Sequence, residues 1–334
     1  MSVVRFKIGI PLALCVCVSL AAPASAETTT LRIGYQRTIA ILPLVVMKDE
    51  KLVEAEAAKA GIKLKAEYTE FASGAPMNDA IISGNLDIGS AGTGPFLTLW
   101  SKSRGIVDVK GLSCLFTGTY DLVTNKPAIK SLKDFGETDR IAVPAVGISI
   151  QAMILQMAAA KTFGVENWKK MDHLTVSLPQ PDGLAALTSG GSQITGQLAG
   201  PPFQQFALRH KGITKVLSSN QVFAGGFTGT LTYASKKFVD ANPKVTKIFM
   251  AAVKRAIQEI RTNKRKAAEI FIGSGKLDPA LVEQVLGDPS VSYSVVPKNV
   301  LTLATFMHKT GRLKDLPSDW RDFFHKQMHD LPGS

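Results

Sequence analysis

The sequence contains one phrase twice, and this repetition limits the folds that the chain can adopt. Residues 84–96 read GNLDIGSAGTGPF and residues 191–203 read GSQITGQLAGPPF. Two glycines, a proline and a phenylalanine recur at the same spacing, as Gly84, Gly89, Pro95 and Phe96 and then as Gly191, Gly196, Pro202 and Phe203. The copies lie much farther apart than the roughly 20–50 residues of a solenoid repeat. The repeat therefore predicts two lobes with similar connectivity of strands and helices, although two strand–turn–helix units of one large sheet would give the same pattern.

The first copy of the phrase predicts a strand, a loop and a helix. Residues 86–91 form a short apolar run that ends in small residues, and the segment after Pro95 has a helical pattern. Gly92, Thr93 and Gly94 place little bulk in front of their backbone N–H groups, and Pro95 suits the first turn of a helix. The positive end of that helix would face the loop, which makes the loop a candidate binding site for an anion or a polar head group. An ordinary strand-to-helix turn has the same composition.

The rest of the chain alternates strands and helices. Three strand–loop–helix units come before residue 107, including a helix predicted over residues 42–59, and they indicate an α/β sheet that binds ligands beyond the carboxyl ends of its strands. Residues 107–116 and 120–125 are predicted strands without a helix between them, which indicates a crossing to a second lobe. Residues 223–234 indicate the return crossing. From residue 243 onward the pattern is helical, with a last helix predicted over residues 319–329.

The first residues have the pattern of a secretory signal peptide. Arg5 and Lys7 precede an apolar run over residues 8–22, and residues 24–26 read Ala-Ser-Ala, the small-x-small pattern of a cleavage site. The run is shorter than the ~20 residues of a membrane span. We expect cleavage after Ala26 and a periplasmic protein. Of the three cysteines only Cys114 would remain, so no internal disulfide is expected, and its apolar surroundings favour a buried thiol.

The charge of the chain favours an anionic partner. The net charge is +12, and the predicted signal contributes Arg5 and Lys7, which leaves +10 for the mature protein. Such a charge suits an anionic ligand or an anionic membrane surface. The basic pairs at residues 169–170 and 236–237 and the basic run at 264–266 are scattered and lack interleaved aromatic residues. We therefore expect no nucleic-acid partner.

The sequence lacks the short motifs of several common enzyme classes. It contains no Gly-x-Ser-x-Gly, His-Glu-x-x-His or Gly-x-Gly-x-x-Gly motif. Residues 273–276 resemble half of a phosphate-binding loop, but Leu277 replaces the Ser or Thr that would hold magnesium. His325 and His329 are four residues apart, but no third metal ligand is indicated. We therefore expect no enzyme activity, no cofactor and no metal site.

The order and spacing of several segments carry a family resemblance. These segments are residues 33–36, 70–76, 84–89 with the loop that follows, Val143, and residues 147–149. With them the chain resembles the periplasmic solute-binding proteins of the nitrate, sulfonate and taurine transporter group, over essentially all of its predicted mature length. The resemblance implies a two-lobed α/β fold of the type II-like periplasmic binding protein class. It has two parallel or mixed sheets flanked by helices, and two hinge crossings.

The resemblance also implies limits for the lobes, and partners. Lobe 1 would consist of residues 27–117 and 229–334, which include the C-terminal helices, and lobe 2 of residues 118–228. The protein would be a monomer that delivers its ligand to an ABC permease in the inner membrane. Residues placed at the interlobe cleft are Tyr35, Gln36, Arg37, Ser73, Gly74, Thr93, Gly94, Gly147, Ser149, Gln151 and Pro202. Arg37 would pair with a sulfonate or carboxylate.

The ligand expected from the resemblance is a small organic anion such as a sulfonate, taurine or a nitrate-like ion. Alkanesulfonate binders tend to carry an aromatic and an acidic residue before the proline of the second lobe, whereas residues 199–203 offer neither. A binder of the thiamine pyrimidine precursor or another aromatic solute is the alternative, with Glu70 or Asp121 accepting from its amino group. A eukaryotic pyrimidine synthase shares the fold, but that enzyme would require a cysteine cluster.

We predict that the exported protein begins at Glu27, because Ala24 and Ala26 occupy the positions that the signal peptidase reads. The intact mass of the periplasmic form measures this directly. Recovery of residues 1–26 on the protein in a membrane fraction would contradict the prediction.

Overall fold

The computed structural model describes residues 1, 26–36, 38–71, 74–273 and 278–334. In chain order the strands are β1 (Thr30–Tyr35), β2 (Lys65–Glu70), β3 (Gly89–Gly92), β4 (Val109–Gly118), β5 (Asp121–Thr124), β6 (Ile141–Val143), β7 (Thr175–Ser177), β8 (Gly196–Ala199), β9 (Thr214–Ser218), β10 (Phe227–Ser235) and β11 (Val291–Tyr293). The helices are α1 (Leu42–Asp49), α2 (Leu52–Lys59), α3 (Gly74–Ile82), α4 (Thr93–Ser103), α5 (Ile150–Phe163), α6 (Gln180–Thr188), α7 (Phe203–Leu208), α8 (Lys236–Ala241), α9 (Pro243–Thr262), α10 (Lys264–Ile272), α11 (Pro279–Gly287) and α12 (Val300–Lys309).

The first lobe is built on two sheets that meet just before β3. β1 and β2 pair in parallel, and β11, β4, β10 and β3 form an antiparallel sheet in that order. Ile33 of β1 forms a parallel bridge with Ile88, and the backbone N–H of Gly34 donates to the carbonyl of Ile88 at 2.8 Å. The bridge makes the two sheets nearly continuous, so the carboxyl ends of β1 and β3 lie at one edge.

The second lobe is built on a five-stranded mixed sheet in the order β7-β6-β8-β5-β9. β6 pairs in parallel with β7 and β8, whereas β5 pairs antiparallel with β8 and β9. Both lobes therefore combine sheets with flanking helices. The two-lobed α/β fold with mixed sheets, as predicted from the sequence, is confirmed.

The chain crosses between the lobes at residues 119–120 and 219–226. The two crossings bond to each other, since the Tyr120 N–H donates to Ser219 Oγ at 2.9 Å and the Ser219 N–H donates to the Tyr120 carbonyl at 2.8 Å. Aromatic rings fill the space around them. The Phe223 and Phe227 rings stack at 4.5 Å between centroids, and the Tyr120 ring lies 5.5 Å from that of Phe227. These hydrogen bonds and ring contacts between the crossings fix the relative position of the two lobes.

The repeated phrase forms the same unit once in each lobe. Gly84 follows α3 with φ of 75°, and Gly190, one residue before the second phrase, follows α6 with φ of 71°, a left-handed backbone that favours glycine. Gly89 and Gly196 then begin β3 and β8, which lead into α4 and α7. The repeat therefore encodes a helix, a glycine turn, a strand and a second helix in each lobe.

Two helices differ from the sequence-based expectation. Residues 42–59 form two helices, α1 and α2, because Lys51 adopts a left-handed conformation with φ of 48°. Both helices pack on α9, and the break lets each of them present its own apolar face to it. The helix predicted over residues 319–329 is instead two short 3₁₀ turns, Trp320–Phe323 and Lys326–Met328.

Cys114 lies in the middle of β4 and is fully buried. Burial raises the pKa of its thiol to about 12, so the group is a neutral core thiol at physiological pH. Among the helices of the described ranges, none combines the length and the apolar character that a membrane crossing requires.

We predict that Gly89→Ala lowers the free energy of unfolding by about 1–3 kcal/mol, a typical cost of overpacking a core. A Cβ at Gly89 would lie 2.7 Å from the buried Tyr233 ring, whose hydroxyl donates to Asn78 at 2.6 Å. Urea unfolding measures the change. Gly191→Ala is the matched control, because no atom lies within 4 Å of its added methyl. Equal unfolding midpoints for the two variants would contradict the packing argument.

Candidate functional site

A cleft with a cavity volume of about 1020 Å³ runs between the lobes along one face of α4. Pro95, Leu99 and Lys102 of α4 line it at intervals of three or four residues, which is the spacing of a single helix face, and Gly92 and Ile106 line it just before and just after the helix. The walls are one face of α3 and, in the second lobe, the loops before α5 and α6. We call this space the outer cleft.

A smaller cavity of about 210 Å³ lies at the start of α4 and α5, and we call it the inner pocket. Its lining includes Gln36 after β1, Tyr120 in the first crossing, Gln151 in α5, Gln180 in α6 and Thr230 in β10. The two spaces are continuous, because eight residues line both of them: Gln36, Thr38, Ala91, Gly92, Pro95, Pro144, Ser149 and Gln180. Every described residue that lines the inner pocket is uncharged.

Helices from both lobes begin at the inner pocket. α4 follows Gly92, which provides no side-chain cap, and α5 follows Ser149. Ser149 Oγ accepts from the Ala152 N–H at 3.2 Å and donates to the Ala145 carbonyl at 2.9 Å. The Ser149 hydroxyl is therefore occupied by capping, and what the two helices offer a ligand is the positive end of each dipole.

The inner pocket also contains polar side chains that have no partner among the described residues. The Gln151 residue is only 5% exposed, and Tyr120 and Thr230 are buried as well. Within the part of the chain that the structure describes, no hydrogen bond is formed by the Gln151 amide, the Tyr120 hydroxyl or the Thr230 hydroxyl. Burial raises the pKa of the Tyr120 hydroxyl, which keeps it protonated and able to donate. Because these three groups line the pocket, they are free to form hydrogen bonds with a polar ligand.

The charges that line the cleft lie in its outer part. Among the described lining residues these are Glu70, Asp79 and Lys102, all exposed. Asp121, the other acid considered from the sequence, does not line the cleft: its carboxylate lies 3.5 Å from Lys215 Nζ in the second lobe. Burial raises the pKa of the Asp121 carboxyl, and Lys215 opposes that rise.

Four of the predicted site residues meet at the cleft. Gln36 and Ser149 line both of its parts, Gly74 lines the outer cleft, and Gln151 lines the inner pocket. Arg37 and Ser73 lie outside the described residues, so their placement stays a prediction.

The structure places the other five predicted site residues away from the cleft lining. Tyr35 packs in the core of the first lobe. The Thr93 hydroxyl donates a hydrogen bond to the Thr228 carbonyl. A Cβ on Gly94 would lie 2.4 Å from Met153 Sδ, so Gly94 packs directly against that side chain. Both residues therefore make contacts within the protein beneath the cleft. Gly147 has φ of 69° in the loop before α5. Pro202 is buried and lines a neighbouring groove, which shares Pro181 and Phe203 with the outer cleft.

The sequence-based reading missed several lining residues. Tyr120 lies in the first crossing and Thr230 in β10, within segments that the sequence indicated as a strand or a connection and not as binding elements. Ile82, Ile106 and Ile148 also line the outer cleft, and each lies in a loop or at a helix end. The unusual exposure of such residues appears only in the folded chain.

Within the described ranges, no group of three His, Cys, Asp or Glu side chains is arranged to hold a metal ion. His329 Nε2 lies 3.0 and 3.1 Å from the carbonyl oxygens of Arg321 and Phe324, so that ring is part of the C-terminal turn structure.

Comparisons with known proteins agree with this architecture. A family model described as the NMT1-like family matches residues 24–272. A search of curated protein sequences gives no match. Among solved structures, the chain is similar to the alkanesulfonate-binding protein SsuA from Xanthomonas axonopodis pv. citri bound to MOPS, with 20% identity, a TM-score of 0.66 and coverage of 88% of this chain and 96% of that one.

Two further solved structures are similar over most of their length. The periplasmic aliphatic sulphonate binding protein SsuA from Escherichia coli has 19% identity, a TM-score of 0.69 and coverage of 90% of this chain and 93% of that one. The periplasmic nitrate-binding protein NrtA from Synechocystis has 15% identity, a TM-score of 0.65 and coverage of 91% and 86%. At these identities the similarity shows the fold.

Proposed function

We propose that this protein, which belongs to the NMT1-like family, is the solute-binding component of an ABC importer and captures a small organic anion between its lobes. A sulfonate is the favoured ligand, with taurine and nitrate-like ions in the same class. The observation that carries the proposal is the meeting of two helix starts, one from each lobe, at a pocket with unpartnered polar groups.

The geometry supports an anionic head group in the inner pocket. The positive ends of α4 and α5 favour negative charge there. Tyr120 and Gln151 add an O–H and an amide N–H donor. A ligand that touches both helix starts also bridges the lobes, which is the arrangement that couples binding to lobe closure.

Arg37 is the proposed counter-charge. It directly follows Gln36, which lines both parts of the cleft, and an arginine offers two parallel hydrogen bonds to a sulfonate or carboxylate. Two similar structures are an alkanesulfonate-binding protein bound to MOPS and a nitrate-binding protein, and both sulfonate and nitrate groups are oxoanions.

One observation favours a second candidate, a thiamine pyrimidine precursor or another amino-substituted aromatic solute. Glu70 and Asp79 line the outer cleft and outnumber Lys102, the basic residue among its described lining residues. A carboxylate there would accept a hydrogen bond from an exocyclic amino group. The amides of the inner pocket suit a neutral heterocycle as well as they suit an anion.

The proposal includes a location and a partner. We propose that the protein acts in the periplasm as a monomer, delivers its ligand to an inner-membrane ABC permease, and has no enzyme activity and no nucleic-acid partner. The predicted signal peptide and the family membership support this assignment.

We expect Arg37→Ala to weaken anion binding roughly ten- to a hundredfold, because hydrogen bonds to a charged group contribute about 1.5–3 kcal/mol to binding. Titration calorimetry with sulfonates, carboxylates, nitrate and aminopyrimidines measures the loss and ranks the classes. Arg209→Ala is the matched control, because it removes the same charge at an exposed position bonded to Gln284.

Two outcomes would contradict the anion proposal. One is tighter binding of a neutral or cationic member of the panel than of any anion, which would favour the aromatic solute. The other is equal anion affinity for Arg37→Ala and Arg209→Ala.

We also expect a saturating ligand to close the lobes about the crossings at residues 119–120 and 219–226, because two lobes joined by two short segments form a hinge. Small-angle X-ray scattering would then show a smaller radius of gyration with ligand than without. An unchanged radius, with binding confirmed by calorimetry on the same sample, would count against closure.

A further inference from the structure

Large aliphatic side chains are unusually exposed around the outer cleft. Besides Met1, the exposed large hydrophobic residues of the described ranges are Ile82, Ile106, Val146, Ile148, Val165 and Leu208. Three of these six, Ile82, Ile106 and Ile148, line the outer cleft. Ile106 is 74% exposed and Ile148 is 64% exposed. A cluster of this kind marks a surface that another apolar group covers.

The three isoleucines come from both lobes. Ile82 ends α3 and Ile106 follows α4 in the first lobe, whereas Ile148 lies just before the cap of α5 in the second. Phe71, Leu99 and Phe203 line the same space. The outer cleft thus presents apolar groups on both of its sides, with few charges between them.

α4 connects this apolar region to the inner pocket. Gly92 and Pro95 at the start of the helix line both spaces, whereas Lys102 and Ile106 at its other end line the outer cleft alone. A helix of 11 residues is about 16 Å long. When the head of a ligand occupies the inner pocket, the rest of the ligand can therefore extend along α4 to the isoleucines.

We propose that Ile82, Ile106 and Ile148 form an apolar clamp that binds the hydrocarbon or aromatic body of the ligand, and that this clamp selects extended amphipathic anions over compact ions such as nitrate. This inference rests on the proposed function, because the head group is taken to be held in the inner pocket. The volume of about 1020 Å³ supports it, because a compact ion would leave nearly all of the outer cleft to water.

The test is a homologous series of 1-alkanesulfonates, from methanesulfonate to octanesulfonate, titrated into the mature protein by calorimetry. Matched carboxylate and primary-amine series control for the head group. Each added methylene should tighten binding about two- to fourfold until the clamp is filled, as expected for partial to full burial of a CH₂ group. Nitrate should bind at least about a hundredfold more weakly than hexanesulfonate by the same reasoning.

The variants are the double substitution Ile106→Ser with Ile148→Ser and, as matched control, Val165→Ser. Val165 is 59% exposed and does not line the cleft, so its loss removes exposed apolar surface elsewhere. The double variant should show almost no dependence on chain length, whereas the control should behave as the wild type. All the replaced side chains are exposed, and equal urea midpoints would verify that each variant is folded.

A fluorescent probe makes the test independent of the head-group assignment. N-Phenyl-1-naphthylamine, a neutral aromatic probe without a sulfonate, should bind the wild type and the Val165→Ser variant with a blue-shifted emission that the double variant loses. Equal affinity across the alkanesulfonate series, or an unchanged length dependence in the double variant, would overturn the clamp. If no member of the three series binds, the proposed anion function fails, and equal probe fluorescence in all three proteins would then overturn the clamp as well.

Discussion

The close packing of α4 against α5 determines where this protein can bind a ligand. Gly94 faces Met153 so closely that a methyl group on the glycine would lie 2.4 Å from the methionine sulfur. The helices belong to different lobes, and both begin at the inner pocket. Because the contact lies in their first turns, it brings two positive helix ends to one place and leaves the outer cleft open above them. The binding geometry therefore depends on a residue that has no side chain.

Gly94 and Thr93 also show how far sequence reasoning reaches. Their small size marked them as ligand donors, and the prediction that the first phrase precedes a helix was correct. A small residue, however, indicates only that another group packs closely against it. That group is Met153 for Gly94 and the Thr228 carbonyl for Thr93. The glycines that end α3 and α6 are explained by local structure alone, because each adopts a left-handed backbone conformation. Tyr120 in the first crossing and Thr230 in β10 line the pocket only because of the tertiary fold, which local patterns do not reveal.

The net charge of the chain is a poor guide to the charge of its cleft. Several basic residues form exposed ion pairs, such as Arg265 with Glu269 and Lys266 with Glu50, and such pairs contribute about 0–1 kcal/mol each. The described lining contains Lys102 against Glu70 and Asp79. Head-group recognition in the described part of the inner pocket therefore rests on dipoles, amides and hydroxyls. Groups of this kind discriminate by the direction of their hydrogen bonds, so they can reject a ligand of the right charge and the wrong shape.

α4 separates two kinds of recognition along one rigid element. Its first turn faces uncharged polar groups, and its last turn leads to the exposed Ile106. The helix sets the distance between these regions, so a ligand must match both in chemistry and in the length of its body. If the lobes close as proposed, Ile148 approaches the ligand from the other lobe and adds a third condition. In that closed state a solute that satisfies only the inner pocket would leave the isoleucines in water, and the unburied apolar surface would oppose closure. On this proposal, selectivity for the body of the ligand follows from the same closure that retains its head.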